Sequence, residues 1–512
     1  MNDKCNYSNI IISKSGVSIP VFASGKTVDS RYDPEKESLR IVEGINEKTD
    51  FIILLGIASG QLIKTILKQR PYIFILAVEF NQNDIDFLMK LEEVQKLAKM
   101  QNVCFCPLEQ LFEKITQLYI PAFYGNLEVI EQRGWTSEYI QYIPQIKEII
   151  QKALGIVSAD FSVQSHFGKL WQHNILSNMK LLEKSKNIQD LAIDTNKTAL
   201  VLAAGPSLDK TIINIKENRK EYFLIATDTA FSVLLSHKVF PDTVVSLDGQ
   251  NISNLHFIHS NEYDFTNTIF LFDLCANDSA AKKFLNQNGQ LCFFTSGHPL
   301  SMYINTTYQL LLPQFFSGSG TVTISALDFA LQAGFKNIQI AAADFSYSNG
   351  KPYAKGTYLD RIYNQQSQRI NNSQKQFCSL MYRTELIPKS DKVFTTQILE
   401  AYRTSFEEFL NSKNLAFKKE NDLYKINNNN SINSLKSLFS SKAKTVNGNT
   451  IIQELKKSFT SLNPERSITS IYDLTNIDIC LLPLISWYKY HDNKDKKDFN
   501  YYYKKALGGI IK

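Results

Sequence analysis

The feature that most constrains this chain is a series of short apolar segments after Thr198, separated by spacers, several with helical periodicity. They are Ala199–Ala203, Tyr222–Ala226, Thr243–Leu247, Thr268–Phe272, Leu291–Phe294 and Asn337–Ala341. Strands this short, alternating with helices, predict a mainly parallel sheet covered by helices. Such sheets bind ligands beyond the carboxyl ends of their strands, so those ends hold the candidate functional residues.

A looser version of the pattern opens the chain. Phe51–Leu55 runs into Gly56-Ile-Ala-Ser-Gly60, then a helical stretch, then an apolar run that ends in Glu79. This is half of a dinucleotide or S-adenosylmethionine fold, although Gly-x-x-x-Gly is shorter than the full glycine fingerprint and a βαβ unit packed without a ligand reads equally well. At 512 residues the chain exceeds one core, since domains hold ~100–200 residues. The expected class is α/β, with a Rossmann-like N-terminal domain (1–155), a connecting helix (156–190), a central domain with a mainly parallel sheet (191–412) and a helical C-terminal domain (413–512). Trp171, Asn174, Ile175 and Asn178 share one face of the connecting helix. The last boundary rests on the Asn427–Asn430 run and the lysine-rich segments beyond it.

Several function classes are excluded by composition. The net charge is only +6 and its lysines and arginines are dispersed, so no nucleic-acid partner is expected. The seven cysteines, several in apolar runs, read as buried thiols of a reducing compartment, and with no second pair beside Cys104 and Cys106 no metal is expected. No apolar run nears the ~18 residues of a membrane helix, and the N-terminus has no signal-like apolar region, so the expected location is the cytoplasm.

The strand ends carry the chemistry. The first leads to Gly205-Pro206-Ser207-Leu208-Asp209, where a glycine turn and a helix start would present free N–H groups to a phosphate, with capping of the helix as the plain alternative. The next two deliver Asp228 and Asp248, which would converge on one rim. Ser317-Gly318-Ser319-Gly320 opens another helix. Asp344 begins a loop with Tyr347, Tyr353, Tyr358, Lys351 and Lys355, donors suited to holding a phosphate and neutralising a leaving group. His256 and His259, three apart, read as solvent-facing or capping residues.

Ala203–Asp209, Ala226–Ala230, the Pro241-Asp-x-x-x-Ser-Leu-Asp248 stretch and Ser317–Tyr358 together resemble the central domain of the motility accessory factor proteins, which glycosylate flagellin. The resemblance covers about Asp160–Phe409, and the Gly56 segment resembles that family's N-terminal domain more loosely. The central domain is in turn similar to bacterial CMP-sialic-acid-dependent sialyltransferases. The resemblance implies that Gly205, Pro206 and Ser207 face the CMP phosphate or ribose, and that Asp228 and Asp248 lie near the nucleotide and donor sugar. It also implies that Ser319 and Gly320 approach the donor, and that Tyr353 and Tyr347, the latter one residue out of step, bind the departing phosphate. The implied activity is cofactor-free transfer of a nonulosonic acid, of pseudaminic or legionaminic type, from its CMP ester to Ser or Thr of flagellin. Those sialyltransferases use a histidine base downstream of the tyrosines, where this chain has none between His298 and His491. His298 and Asp248 are therefore the candidate bases. The Gly-Pro-Ser-Leu loop and the two aspartates are also similar to archaeal hydroxymethylpterin diphosphokinases, which implies Mg²⁺ and ATP; a flagellin-binding protein without turnover is the third reading.

Overall fold

The computed structural model describes residues 4–420, 423–428, 435, 447–492 and 498–511, and the chain divides into two compact units. Unit one joins Met1–Lys169 to Phe459–Lys512; unit two is Leu170–Ser458.

Unit one begins with an antiparallel hairpin, β1 (Tyr7–Ile12) and β2 (Ser18–Phe22). Its main sheet contains β3 (Thr49–Leu55), β4 (Phe74–Glu79), β5 (Val103–Pro107) and β6 (Asn126–Glu131), all parallel, in the order β5-β4-β3-β6. Phe51–Leu55 and all of β4 are buried, the continuous apolar run needed by parallel strands covered on both faces. Helix Leu482–His491 also belongs here. A Cβ on Gly168 would lie 2.0 Å from the Pro483 carbonyl oxygen, so this helix packs backbone to backbone on helix Ile143–Met179. Lys489 Nζ donates to the carbonyls of Pro121 (2.8 Å) and Tyr124 (3.0 Å).

Unit two is built on an eight-stranded sheet in the order β11-β10-β9-β8-β7-β12-β17-β16. β7 (Thr198–Leu202), β8 (Tyr222–Thr227), β9 (Thr243–Ser246), β10 (Ile269–Asp273), β11 (Gln290–Phe294) and β12 (Asn337–Ala341) are parallel, each within a residue or two of the expected segments. Beyond β12 lies a short antiparallel sheet of β13 (Tyr347–Ser348), β14 (Ile387–Ser390) and β15 (Val393–Thr395).

The C-terminal region is helical as expected from Gly448 on, with helices Gly448–Thr460, Leu482–His491 and Phe499–Ile511, but the stretch before it carries strands. β16 (Phe417–Glu420) and β17 (Leu423–Asn427) form a hairpin that extends the central sheet antiparallel to β12. Tyr424 and Ile426 are buried while Lys425 points outward, a period of two that the surrounding lysines and asparagines conceal. From Phe459 onward the chain belongs to unit one. The Asn427–Asn430 run lies partly outside the described residues. All seven cysteines are free, and among the described residues no helix is long and apolar enough to cross a membrane.

Candidate active site at the carboxyl rim of the central sheet

Six parallel strands direct their carboxyl ends to one rim, and the strand order reverses between β7 and β12. In such sheets this switch point opens a crevice. Here the two flanking loops are bonded to each other. Gly205 N–H donates to the Ala342 carbonyl (2.9 Å), and a Cβ on Gly205 would lie 2.5 Å from that oxygen and 2.6 Å from Asp344 Oδ2. Ser207 gives its N–H to Asp344 Oδ2 (2.8 Å) and its hydroxyl to Asp344 Oδ1 (2.5 Å). The start of helix Leu208–Glu217 thus faces a carboxylate of the chain itself, which satisfies the dipole that the sequence pattern offers to a phosphate. Gly205, Pro206 and Ser207 line the switch point, but the anion that Ser207 binds is Asp344. Ala342 and Phe345, at φ +59° and +47°, hold left-handed backbone beside it, a local strain of the sort that clusters at binding sites.

Asp228 opens helix Asp228–Ser236 and is buried; its Oδ1 accepts from Thr229 N–H (2.7 Å) and its Oδ2 from the Ser246 hydroxyl (2.9 Å). Asp248, past the end of β9, accepts from Gln250 N–H (2.9 Å). Burial raises its pKa, Asp228 raises it further, and His256 opposes both. The two aspartates therefore meet as the strand order requires. Asn174 and Asn178 support this rim from below: Asn174 Nδ2 donates to the carbonyls of Gly249 and Cys275, and Asn178 Nδ2 to those of Leu274 and Ala276.

The tyrosine loop is pinned across the switch point. Ala354 N–H donates to the Ala204 carbonyl (2.9 Å), and Lys355 N–H to Asp209 Oδ1 (2.8 Å), while Lys351 Nζ lies 3.7 Å from Asp209 Oδ2. Tyr353 keeps 39% of its surface open, yet crowding of its hydroxyl pushes the phenol up to about 12. Burial is the main cause, followed by Tyr358, Tyr347, Tyr402 and Asp228. Tyr358 is raised by burial and then by Tyr363, Asp248 and Asp228. Tyr347, Tyr353, Asp228 and Asp248 thus share one neighbourhood with Tyr358, Tyr402 and His256, whose part in the site sequence reasoning missed. Tyr358 ends the loop that begins at Asp344; nothing in the sequence marks Tyr402, on helix Gln397–Ser412 further along the chain.

Neither His298 nor the Gly318–Gly320 turn has a described contact with these acids and tyrosines, although Trp171 links the His298 ring to Gly249. His298 caps helix Pro299–Thr307: its Nδ1 accepts from Leu300 N–H (3.2 Å) and its ring meets Trp171 edge-on at 5.8 Å. Burial depresses its pKa to about 3. With Nδ1 used as an acceptor, Nε2 carries the proton and neither nitrogen has a lone pair for a hydroxyl, so His298 is removed as a base. The Gly318–Gly320 turn contacts Ser296 and Phe316 through its flanks, and nothing among the described contacts ties it to the acids and tyrosines. Gly320 is exposed, at φ +72°; the Ser319 side chain lies outside the described residues. Among the described residues no three His, Cys, Asp or Glu side chains come together as a metal site; a cation here would rest on Asp228 and Asp248.

The crevice of unit one is closed by protein. Glu79, where a cofactor ribose would be met, accepts from Ile57 N–H (2.7 Å), Trp135 Nε1 (2.9 Å) and the Tyr7 hydroxyl (3.2 Å), and a Cβ on Gly56 would lie 3.0 Å from the Trp135 ring. Burial lifts the Glu79 carboxyl from 4.5 to about 7 and that of Asp29 to about 6. An acid whose folded pKa is raised contributes stability that is complete below its unfolded pKa and is lost as pH rises through the folded one. Unit one is therefore expected to lose about 3 kcal/mol between pH 4.5 and 8 through Glu79 alone, because each tenfold change in proton affinity is worth ~1.36 kcal/mol. Urea unfolding across that range should show the loss, and Glu79→Gln should flatten it; an equally steep profile in the variant would assign the proton elsewhere.

Residues 173–350 match the model of a family described as 6-hydroxymethylpterin diphosphokinase MptE-like. In overall structure the chain is similar to a MAf glycosyltransferase from Magnetospirillum magneticum AMB-1, with a TM-score of 0.48 and 13% identity, covering 99% of this chain and 86% of that one. Among curated proteins it is similar to three uncharacterized proteins of Treponema pallidum (strain Nichols). One is 39% identical over 145 residues, 28% of this chain and 67% of that protein. A second is 37% identical over 27% of this chain and 50% of its own length, and a third 28% identical over 65% and 59%. With 39% identity across two thirds of the first of these, the chain belongs to the same family as that Treponema protein.

Proposed function

We propose that unit two is a glycosyltransferase that moves a CMP-activated nonulosonic acid, of pseudaminic or legionaminic type, to serine or threonine hydroxyls of flagellin in the cytoplasm, without a cofactor. The observation that supports it most is the convergence of Tyr347, Tyr353 and Tyr358 with Asp228 and Asp248 at the sheet rim. Phenols raised by burial stay protonated at neutral pH and donate hydrogen bonds to oxygen that gains negative charge as CMP departs. In this reading the acids accept from ribose or sugar hydroxyls of the donor. The reaction is a single inverting displacement in which positioning supplies much of the rate.

The MptE-like match over residues 173–350 favours a second reading, diphosphate transfer from ATP with Asp228 and Asp248 holding Mg²⁺. Calorimetry separates the two: CMP should bind in the presence of EDTA, whereas binding only of ATP with Mg²⁺ would replace the first reading by the second. Tyr353→Phe is expected to lower kcat by about 10²-fold with little change in KM, because a donor aimed at developing charge acts in the transition state. A change confined to KM would place Tyr353 in ground-state binding.

A further inference from the structure

The removal of His298 leaves the transfer without a nitrogen base, and the site supplies another. We propose that His256 is the general base that takes the proton of the acceptor hydroxyl, an inference that rests on the sugar-transfer reading above. His256 lies in the 3₁₀ segment Asn251–Glu262 that follows Asp248. It is 91% buried, given its 9% exposure, and its Nδ1 is enclosed with no hydrogen-bonding partner. Most buried polar nitrogens are paired, so an orphan one calls for an explanation by function or by a ligand. Its ring stands edge-on to Tyr358, with centroids 4.6 Å apart, and is close enough to Asp248 to oppose the rise of that carboxyl.

The neighbouring charges suit a base. Asp248 lies near enough to His256 for the two to interact, and the phenols of Tyr358 and Tyr353, raised by burial, remain neutral in the same neighbourhood. Of the two lysines on the adjoining helix Asp278–Asn286, Lys283 donates its ammonium to the Phe257 carbonyl and Lys282 pairs with Asp278. In the proposed step the acceptor O–H bond breaks and its proton goes to His256. The oxygen forms the new bond to the anomeric carbon, and the C–O bond to CMP breaks with its electron pair leaving on the phosphate. In His298 the Nδ1 lone pair is already taken by Leu300 N–H, whereas Nδ1 of His256 is committed to no partner. The pairing escaped sequence reasoning because the spacing of His256 and His259 suggests a surface helix face; the fold instead brings a residue a hundred positions downstream, Tyr358, against the His256 ring. The His259 side chain lies outside the described residues.

The test uses the full chain, a CMP-activated nonulosonic acid and flagellin, with mass spectrometry of the acceptor and calorimetry with CMP. His256→Gln is expected to bind CMP within a few-fold of wild type and to lose ~10²–10⁴-fold in kcat, the usual share of a general base. His256→Ala should recover part of its rate when imidazole is added, a response that a purely structural histidine would not show. A glutamine variant within a few-fold of wild-type kcat, or an alanine variant that imidazole leaves unchanged, overturns the assignment while the transferase reading stands. Wild-type protein that transfers nothing overturns the reading and this assignment with it.

Discussion

Gly205→Ala is expected to cost about 3 kcal/mol of stability and to abolish CMP binding. Added atoms in a filled site cost ~1–3 kcal/mol, occasionally more, and the upper end applies because the obstacle is backbone. The new methyl would meet the Ala342 carbonyl and the Asp344 carboxylate at once, and neither can retreat. Ala342 accepts from Gly205 itself, and Asp344 holds both donors of Ser207. The strain should therefore separate the β7 and β12 loops and carry the tyrosines with them. Urea unfolding and CMP calorimetry on the purified variant check both halves. Wild-type affinity in a destabilised variant would detach the switch point from the nucleotide site.

Trp135→Ala should be costlier still for unit one, about 4 kcal/mol, since deletion of a buried tryptophan loses ~3–5 kcal/mol of packing. Trp135 is fully buried, lies on Gly56 and Tyr139, and gives its Nε1 proton to Glu79. Trp135→Phe keeps most of the packing but strips a donor from a buried carboxyl, so it should cost ~1–3 kcal/mol. Chemical unfolding of the pair separates the contributions. Equal losses in the two variants would mean that the hydrogen bond, not the ring, holds the crevice shut.

The two parallel sheets were legible because each is written in contiguous short-range code: buried runs such as Phe51–Leu55 and the six segments after Thr198, spaced by helices. The β16–β17 hairpin was not, because only Tyr424 and Ile426 mark its inner face amid lysines. At the rim, Asp228 and Asp248 follow from strand ends alone, and Tyr353 from the resemblance. The partner of Ser207 does not, because Asp344 lies 137 residues away and only the β7–β12 pairing brings it near. The same limit hid His256: a sequence states that a histidine exists, whereas its missing partner is a property of packing. Glu79 left both readings of the first βαβ unit open, because a strand-terminal acid looks the same whether its partner is a cofactor or an indole N–H.

Unit one is assembled from both ends of the chain, with the whole of unit two between them. During synthesis Leu170–Ser458 leaves the ribosome before Phe459, so unit two has all its residues while unit one still lacks its last helices. Domains fold as units and early ones fold first, and the closing of so long a loop carries an entropic cost that unit two reduces once compact. Until then the surface that receives Leu482–His491, including the notch at Gly168, stands exposed, and it is there that a folding helper would be needed first.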